Sequence, residues 1–259
     1  PPMSAFLEVS EVTMRFKGLT AVDRFSARLE RGGIFGLIGA NGAGKTTLIN
    51  ILSGQLKPTS GAALLEGREI TGVRPDRVAR MGVGRTYQNL RLFGKMSCLE
   101  NVMIGAQIHK DYNLTQALLS LPVFWKRERE LRDMATEMLR MVGIAELADR
   151  QAGSLPYGDQ RLLELARTLA MKPRLLLLDE PAAGMNPRES ADLTQTIRRV
   201  RSAFDLTILL IEHDMKVVME LCEYIYVMAF GETIFHGLPR EVSEHPKVIE
   251  AYLGRACRA

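Results

Sequence analysis

One stretch of the chain has the composition and spacing of a phosphate-binding loop. A glycine, four further residues and then Gly-Lys-Thr-Thr follow one another, the nine residues being Gly39, Ala40, Asn41, Gly42, Ala43, Gly44, Lys45, Thr46 and Thr47. Glycines and small side chains let several backbone N–H groups point at one anion. Lys45 would reach the β and γ phosphates, and the Thr46 hydroxyl would bind Mg²⁺. The stretch therefore predicts a site for a nucleoside triphosphate.

The segments on either side of this loop fit that prediction. The apolar run at 33–38 predicts a buried strand, and apolar residues at helical spacing follow the loop as far as Gly54. A strand, a glycine-rich loop and a helix start are the arrangement that aims a helix N-terminus at phosphate.

Two later apolar runs end in side chains that could act on a phosphate. Residues 175–178 are four leucines followed by Asp179 and Glu180, and the run at 207–211 comes shortly before His213. Continuous apolar runs indicate strands buried on both faces of a parallel sheet, and ligands bind at the carboxyl ends of such strands. An aspartate there holds Mg²⁺, a glutamate polarises the attacking water, and a histidine donates to the γ-phosphate.

The order of the elements predicts an α/β fold. Apolar residues alternate at 7–16, with one slip that indicates a β-bulge, and again at 25–29. Together with short strands at 63–70, they predict an N-terminal antiparallel β subdomain. Helical stretches near 159–171, 188–203 and 215–223 alternate with the buried strands. We therefore expect a phosphate-loop (RecA-like) core with a mostly parallel sheet.

Residues from about 99 to 150 have a helical pattern and predict an α-helical subdomain. An apolar stripe from Leu131 to Val142 is ended by Gly143. The apolar piece at 118–125 is expected to pack within this subdomain, with contact to a membrane or a partner as the alternative.

The composition narrows the class of protein. The 259 residues are 46% hydrophobic and 25% charged, and the net charge of +4 is spread among acids, which disfavours a nucleic-acid partner. No apolar run reaches the roughly 18 residues of a membrane helix, and the N-terminus lacks a signal-peptide pattern. Cys98, Cys222 and Cys257 have no metal-binding spacing, so we expect reduced thiols in a cytoplasm.

With these elements in order, the chain resembles the ATP-binding cassette (ABC) ATPase family over essentially all of its length. The residues Thr-Tyr-Gln-Asn at 86–89 look like the Q-loop, and Leu-Pro-Tyr-Gly-Asp-Gln-Arg at 155–161 stands where the family has its Leu-Ser-Gly-Gly-Gln signature. The segment at 181–187 occupies the D-loop position, and Ile-Glu-His-Asp at 211–214 resembles the switch-histidine motif. The resemblance implies one nucleotide-binding domain over 3–259, with 3–88 and 159–259 as catalytic core and 89–158 as helical subdomain.

The resemblance also implies a role for each matching residue. The implied catalytic residues are the general base Glu180, the γ-phosphate switch His213, Gln88 and Lys45. The implied Mg²⁺ residues are Thr46, Gln88 and Asp179. The implied ATP-binding residues are Phe16, which would stack on adenine, the loop from Gly39 to Thr47, and Tyr157, Gly158 and Asp159 of the signature.

Three residues depart from the family pattern. Pro156 replaces the signature serine, so both its hydroxyl and its N–H are missing, and Tyr157 replaces the first signature glycine. Anion binding there must rely on Gly158 and its neighbours at a helix N-terminus. Asn186 replaces the usual D-loop aspartate, which keeps hydrogen bonding without the charge.

Four segments together resemble the ATP-binding subunit of branched-chain amino acid importers. They are Leu-x-Tyr-Gly-x-Gln-Arg, Glu-Pro-Ala-Ala-Gly-Met-Asn-Pro, Ile-Glu-His-Asp-Met-Lys and the closing Val-Ile-Glu-Ala-Tyr-Leu-Gly at 248–254. The resemblance implies ATP and Mg²⁺ as cofactors and a second ATPase subunit, identical or different, as partner. It further implies transmembrane permease subunits, a periplasmic or extracellular binding protein acting indirectly, and a peripheral location on the cytoplasmic face of the inner membrane.

Three alternatives stay open at this point. A related importer of urea, short amides or other amino acids would share much of the pattern. A soluble ABC ATPase of DNA repair or translation usually carries two cassettes or a long coiled coil, and this sequence has neither. A phosphate-loop kinase or GTPase is disfavoured by Glu180 and by the lack of a guanine-reading Asn-Lys-x-Asp stretch.

Overall fold

The fold is known from a computed structural model that describes residues 5–109 and 122–253. Within these residues, ten strands form two sheets: β1 (Leu7–Phe16), β2 (Leu19–Leu29), β3 (Ile34–Gly39), β4 (Ser60–Leu65), β5 (Arg68–Glu69), β6 (Val83–Arg85), β7 (Leu175–Asp179), β8 (Thr207–Ile211), β9 (Tyr224–Ala229) and β10 (Glu232–Gly237).

Helices cover the sheets and connect the strands. The described α-helices are α1 (Lys45–Leu52), α2 (Pro75–Arg80), α3 (Cys98–Ala106), α4 (Pro122–Val142), α5 (Tyr157–Leu169), α6 (Pro187–Phe204), α7 (Met215–Leu221), α8 (Pro239–Glu244) and α9 (Pro246–Leu253). Single 3₁₀ turns lie at Gln107–His109, Ala145–Leu147 and Ala152–Ser154. None of the helices in the described part of the chain is long and apolar enough to cross a membrane.

The larger sheet has the strand order β10-β9-β3-β8-β7-β6 among the described residues. All its pairings are parallel except that of β9 with β10, so the predicted α/β fold with a mostly parallel sheet is confirmed. Every residue of β3, β7 and β8 is buried, as continuous apolar runs require. Their carboxyl ends lie at one edge of the sheet, and this edge carries the predicted site residues.

The smaller sheet, of order β2-β1-β4-β5 in the described residues, is antiparallel and confirms the predicted N-terminal β subdomain. The register of β1 shifts between Val9 and Val12, and Glu11 between them has a φ of 50°. The predicted bulge is therefore present. A further shift between Met14 and Arg15 leaves Phe16 41% exposed instead of on the buried face of Val12.

The helical region packs on one face of the larger sheet. The apolar stripe of α4 enters the same buried cluster as α3, α5 and one side of β7 and β8, and Gly143 follows the helix with a φ of 85°. The division at 89–158 stays a prediction, and α5 begins at Tyr157, two residues before the expected boundary. Residues 118–121 of the 118–125 piece lie outside the described residues. Trp125 is 61% exposed, and the packing of the 118–125 piece stays a prediction.

Candidate active site

The phosphate loop is held by close backbone contacts on both sides. A Cβ at Gly39 would lie 2.2 Å from the Met228 carbonyl oxygen, and a Cβ at Gly44, whose φ is 103°, would lie 2.3 Å from the Ala21 carbonyl oxygen. The Gly231 N–H donates to the Ala43 carbonyl at 3.1 Å. Glycine is therefore required at 39 and 44 because neighbouring backbone occupies the space of a side chain.

Lys45 begins α1 and folds back over the loop. Its Nζ donates to the carbonyls of Gly39 at 2.6 Å and Ala40 at 3.1 Å, and the residue is only 5% exposed. Thr46 is exposed and Thr47 half-buried in the first turn of the same helix. A groove of about 810 Å³ is lined by residues Ala40 to Ala43, and Lys247 also lines it.

The predicted catalytic residues Gln88, Glu180 and His213 meet at the carboxyl edge of the sheet. The Gln88 Nε2 donates to Glu180 Oε2 at 2.8 Å, and His213 Nε2 contacts Glu180 Oε1. Glu180 follows β7 in a left-handed conformation with a φ of 51°, and its N–H donates to Ile211 at 2.9 Å. Such a conformation is uncommon for a residue other than glycine and concentrates at functional sites.

Asp179 lies one residue earlier and is 3% exposed. Its Oδ2 accepts from Nη2 of Arg85 at 3.0 Å. The Arg85 Nη1 donates to Asn50 on α1 at 2.7 Å and to Ser53, which follows α1, at 3.0 Å. Arg85 is not among the site residues predicted from the sequence. Its position three residues before Gln88 was the signal that could have found it.

Glu212 is a second buried side chain for which the sequence predicted no role. It is 3% exposed, and its carboxylate accepts from the N–H groups of Ala182 at 2.8 Å and His213 at 3.1 Å. Burial raises the pKa of Glu212, and the N–H donors oppose that rise. The carboxylate thereby ties the D-loop position to the loop that carries His213.

The signature residues Tyr157, Gly158 and Asp159 form the first turn of α5. The Tyr157 hydroxyl accepts from Arg161 at 2.6 Å, and Gly184 lies against the Tyr157 ring. Burial raises the pKa of Asp159, and the nearby Glu146 and Glu189 raise it further. The structure thus places these residues beside the D-loop segment of the same chain.

Arg161 joins this helix to the Q-loop position. Its guanidinium donates to the Tyr87 carbonyl at 2.7 Å and to the Gln88 carbonyl at 2.6 Å, while Glu164 accepts from the Tyr87 N–H at 3.3 Å. The side chains of Arg161 and Glu164 are 3% and 1% exposed. The sequence did not predict these contacts, because the type of a residue does not reveal a partner more than 70 positions away.

Two further residues have defined places. Phe16 ends β1 with a partly exposed ring, which leaves a face open for stacking. Asn186 caps α6, because its Oδ1 accepts from the N–H groups of Arg188 and Glu189, both at 3.0 Å.

The residues assigned to Mg²⁺ offer oxygen donors. Residues 5–109 and 122–253 contain no group of three or more His, Cys, Asp or Glu side chains that could hold a metal ion alone. The Thr46 hydroxyl, the Asp179 carboxylate and the Gln88 amide are hard oxygen ligands, and Mg²⁺ commonly takes one or two protein ligands with water and substrate phosphates. The donor set therefore fits Mg²⁺ bound together with a nucleotide.

Known proteins share the sequence and the fold described above. A family model described as ABC transporter matches residues 22–183. The chain belongs to the ABC transporter family. A second model, described as branched-chain amino acid ATP-binding cassette transporter, matches residues 232–257, which include β10, α8 and α9.

Individual relatives agree with this membership. The chain is 46% identical to the high-affinity branched-chain amino acid transport ATP-binding protein BraF of Pseudomonas aeruginosa, over 96% of this chain and 98% of that protein. It is 44% identical to the high-affinity branched-chain amino acid transport ATP-binding protein LivG of Escherichia coli K12, over 96% of this chain and 98% of that protein. A probable LivG of Methanocaldococcus jannaschii is 32% identical over 96% of this chain and 97% of its own length.

Solved structures support the fold. A nucleotide-free ATP-binding cassette from an ABC transporter superposes with a TM-score of 0.84 at 30% identity, over 96% of this chain and 98% of its own. The ADP conformation of a cassette from an ABC transporter gives a TM-score of 0.85 at 30% identity, over 97% and 100% of the two chains.

Proposed function

We propose that this chain is the ATP-binding and ATP-hydrolysing subunit of an importer for branched-chain amino acids. The observation that carries the proposal is the contact of Glu180 with both Gln88 and His213 at the sheet edge that bears the phosphate loop. The relatives BraF and LivG are branched-chain amino acid transport ATP-binding proteins, which supports the choice of solute.

In the proposed reaction, the loop N–H groups and Lys45 bind the phosphates of ATP. Thr46, Asp179 and Gln88 would hold Mg²⁺, which would neutralise charge on the phosphates. Glu180 accepts the proton of the attacking water, and Gln88 orients that water through its amide. His213 donates to the γ-phosphate as charge builds in the transition state.

We further propose that each site is completed by a second ATPase subunit. The N-terminus of α5, with Tyr157 to Asp159, carries a positive partial charge, so it attracts the γ-phosphate of an ATP held by the partner. Closure around ATP and opening after hydrolysis would then move permease subunits, with the chain on the cytoplasmic face of the membrane. A solute-binding protein would act through those permeases.

The Glu180→Gln variant tests the proposed chemistry. Glutamine keeps the shape but cannot take a proton, so ATP turnover should fall by about 10²- to 10⁴-fold while ATP binding persists and a closed dimer accumulates. The exposed Glu69 supplies the matched control, since Glu69→Gln should turn over ATP normally. Turnover of Glu180→Gln at the wild-type rate contradicts the assignment of the base.

The Lys45→Ala variant tests the phosphate loop in the same assay. We expect loss of ATP binding, because the ammonium that contacts the phosphates is removed, while Lys126→Ala on the exposed surface of α4 binds ATP normally. Undiminished binding by Lys45→Ala refutes the role of the loop.

The solute needs a separate experiment. Vesicles that contain the chain with its membrane subunits should take up labelled leucine in an ATP-dependent manner, and excess isoleucine or valine should compete. Uptake of urea or a short amide with no uptake of leucine would contradict the branched-chain assignment.

A further inference from the structure

We infer that Arg85 is the positioning residue for Asp179, and that its charge sets how strongly the site holds a divalent cation. The inference rests on the proposed metal role of Asp179. It adds a residue for which neither the phosphate-loop pattern nor the strand-end carboxylates predict a role.

The position of Arg85 is fixed from two elements. Arg85 ends β6, which pairs in parallel with β7, and its side chain is 7% exposed. Nη1 is anchored by Asn50 on α1 and by Ser53, which follows α1, and Nη2 reaches Asp179 Oδ2 at 3.0 Å. One guanidinium therefore connects the helix that follows the phosphate loop with the carboxylate at the end of β7.

The plane of the guanidinium is held as well. Arg85 lies 4.7 Å from the centre of the Tyr87 ring, and Arg91 lies 4.2 Å from the same ring. The Tyr87 hydroxyl accepts from Gln55 Nε2 at 2.9 Å. Stacking and the forked hydrogen bonds together select one orientation of Arg85, which lysine could not reproduce.

The pair has a direct consequence for charge. The Asp179 side chain is 5% exposed, so its interaction with Arg85 is weakly screened by water. Arg85 holds one carboxylate oxygen, and the other oxygen is the acceptor left for a metal-bound water. A guanidinium keeps its charge at any physiological pH, so a cation at Asp179 always experiences this positive neighbour. Arg85 consequently orients the carboxylate and weakens its hold on a dication.

The same segment reaches the proposed base. Gln88, three residues after Arg85, donates to Glu180, and Arg85 pairs with Asp179. A displacement of residues 85–88 would therefore change the metal carboxylate and the water-orienting amide together.

The test measures how ATP binding depends on Mg²⁺ in the Glu180→Gln background, where turnover does not interfere. Arg85→Gln removes the charge and keeps a polar group, and Arg85→Lys keeps the charge. We expect Arg85→Gln to lower the Mg²⁺ concentration for half-saturation by about tenfold, because an opposing charge a few ångströms away is gone. Arg85→Lys keeps the charge but loses the forked hydrogen bonds, so it should lower that concentration by only about two- to threefold.

Controls distinguish a failure of the inference about Arg85 from a failure of the proposed metal role of Asp179. An Mg²⁺ dependence of Arg85→Gln equal to that of its parent, in protein whose circular dichroism shows it folded, overturns the inference about Arg85 alone. If the parent itself shows no Mg²⁺ dependence, or if Asp179→Asn leaves that dependence unchanged, the metal role of Asp179 fails and the inference fails with it.

A second variant covers the case in which Arg85→Gln does not fold. Asn50→Ala removes one anchor of the guanidinium from a half-buried position. Because a less fixed guanidinium opposes the cation less, half-saturation should again move to lower Mg²⁺, by about two- to threefold. An unchanged or higher value for folded Asn50→Ala overturns the inference.

Discussion

Replacing Arg161 with methionine removes a buried cation that connects the signature helix with the Q-loop position. The Arg161 guanidinium contacts the carbonyls of Tyr87 and Gln88, the Tyr157 hydroxyl and the Glu164 carboxylate. Methionine has a similar length and fills most of the space, so the loss of charge and hydrogen bonds dominates the effect.

The expected cost follows from the burial of the partners. Arg161 and Glu164 are both almost completely buried, and removing one partner of a buried pair costs about 3–5 kcal/mol because the other charge stays uncompensated. In a domain near this size each kcal/mol corresponds to about 2–4 °C in Tm. We therefore expect Arg161→Met to lower Tm by about 10 °C.

The loss of Tm in Arg161→Met should depend on pH, because Glu164 loses its charged partner. Burial already raises the pKa of Glu164 in the folded chain, and loss of Arg161 raises this pKa further. A folded state that binds the proton more tightly than the unfolded state loses stability as pH rises above the usual glutamate pKa. The gap in Tm between wild type and variant should therefore be smaller at pH 5 than at pH 8.

Thermal denaturation followed by circular dichroism measures both effects, with Arg68→Met on the exposed strand β5 as the matched control. ATP turnover should fall by about tenfold, since the backbone of Gln88 loses its anchor. A drop in Tm below about 3 °C at pH 8, or a gap that does not change with pH, refutes the reasoning.

Three further expectations concern single positions. Gly44→Ala should abolish ATP binding and destabilise the fold by more than about 2 kcal/mol, since the new methyl group meets the Ala21 carbonyl oxygen at 2.3 Å; nucleotide titration and denaturant unfolding check this. Burial raises the pKa of Cys222 to about 12, so a maleimide at pH 8 should modify this thiol far more slowly in native protein than in guanidinium chloride, as mass spectrometry would detect. Glu212→Ala leaves the His213 N–H without its acceptor and should reduce kcat by about tenfold with little change in KM for ATP; an unchanged kcat contradicts the role given to that carboxylate.

The strand-end residues could be predicted because two simple rules determine them. A continuous apolar run must be buried on both faces, and parallel strands bring their carboxyl ends to one edge, so Asp179, Glu180 and His213 were expected together with the phosphate loop. In the structure His213 contacts Glu180, and Gln88, which only the family resemblance indicated, also contacts Glu180. Their chemical roles stay predictions.

The partners of the charged residues could not be predicted in this way. Arg85 and Asp179 are 94 positions apart, and an arginine in a sequence does not reveal which of many carboxylates it will meet. Strand β10 mixes polar and apolar residues, and neither β10 nor the apolar β9 was expected from the sequence. Phe16 is exposed after a third register shift in β1, between Met14 and Arg15, and no residue type in that strand predicts such a shift.

The close contacts around Gly39 and Gly44 bear on the thermodynamics of ligand capture. Because neighbouring strands already hold the loop backbone on both sides, its N–H groups need little ordering when an anion arrives. A glycine-rich segment loses conformational entropy when it becomes rigid. In this chain that loss occurs during folding and not during binding. Nucleotide should consequently meet a preorganised receptor, and the loop itself should contribute little to the heat-capacity change of binding.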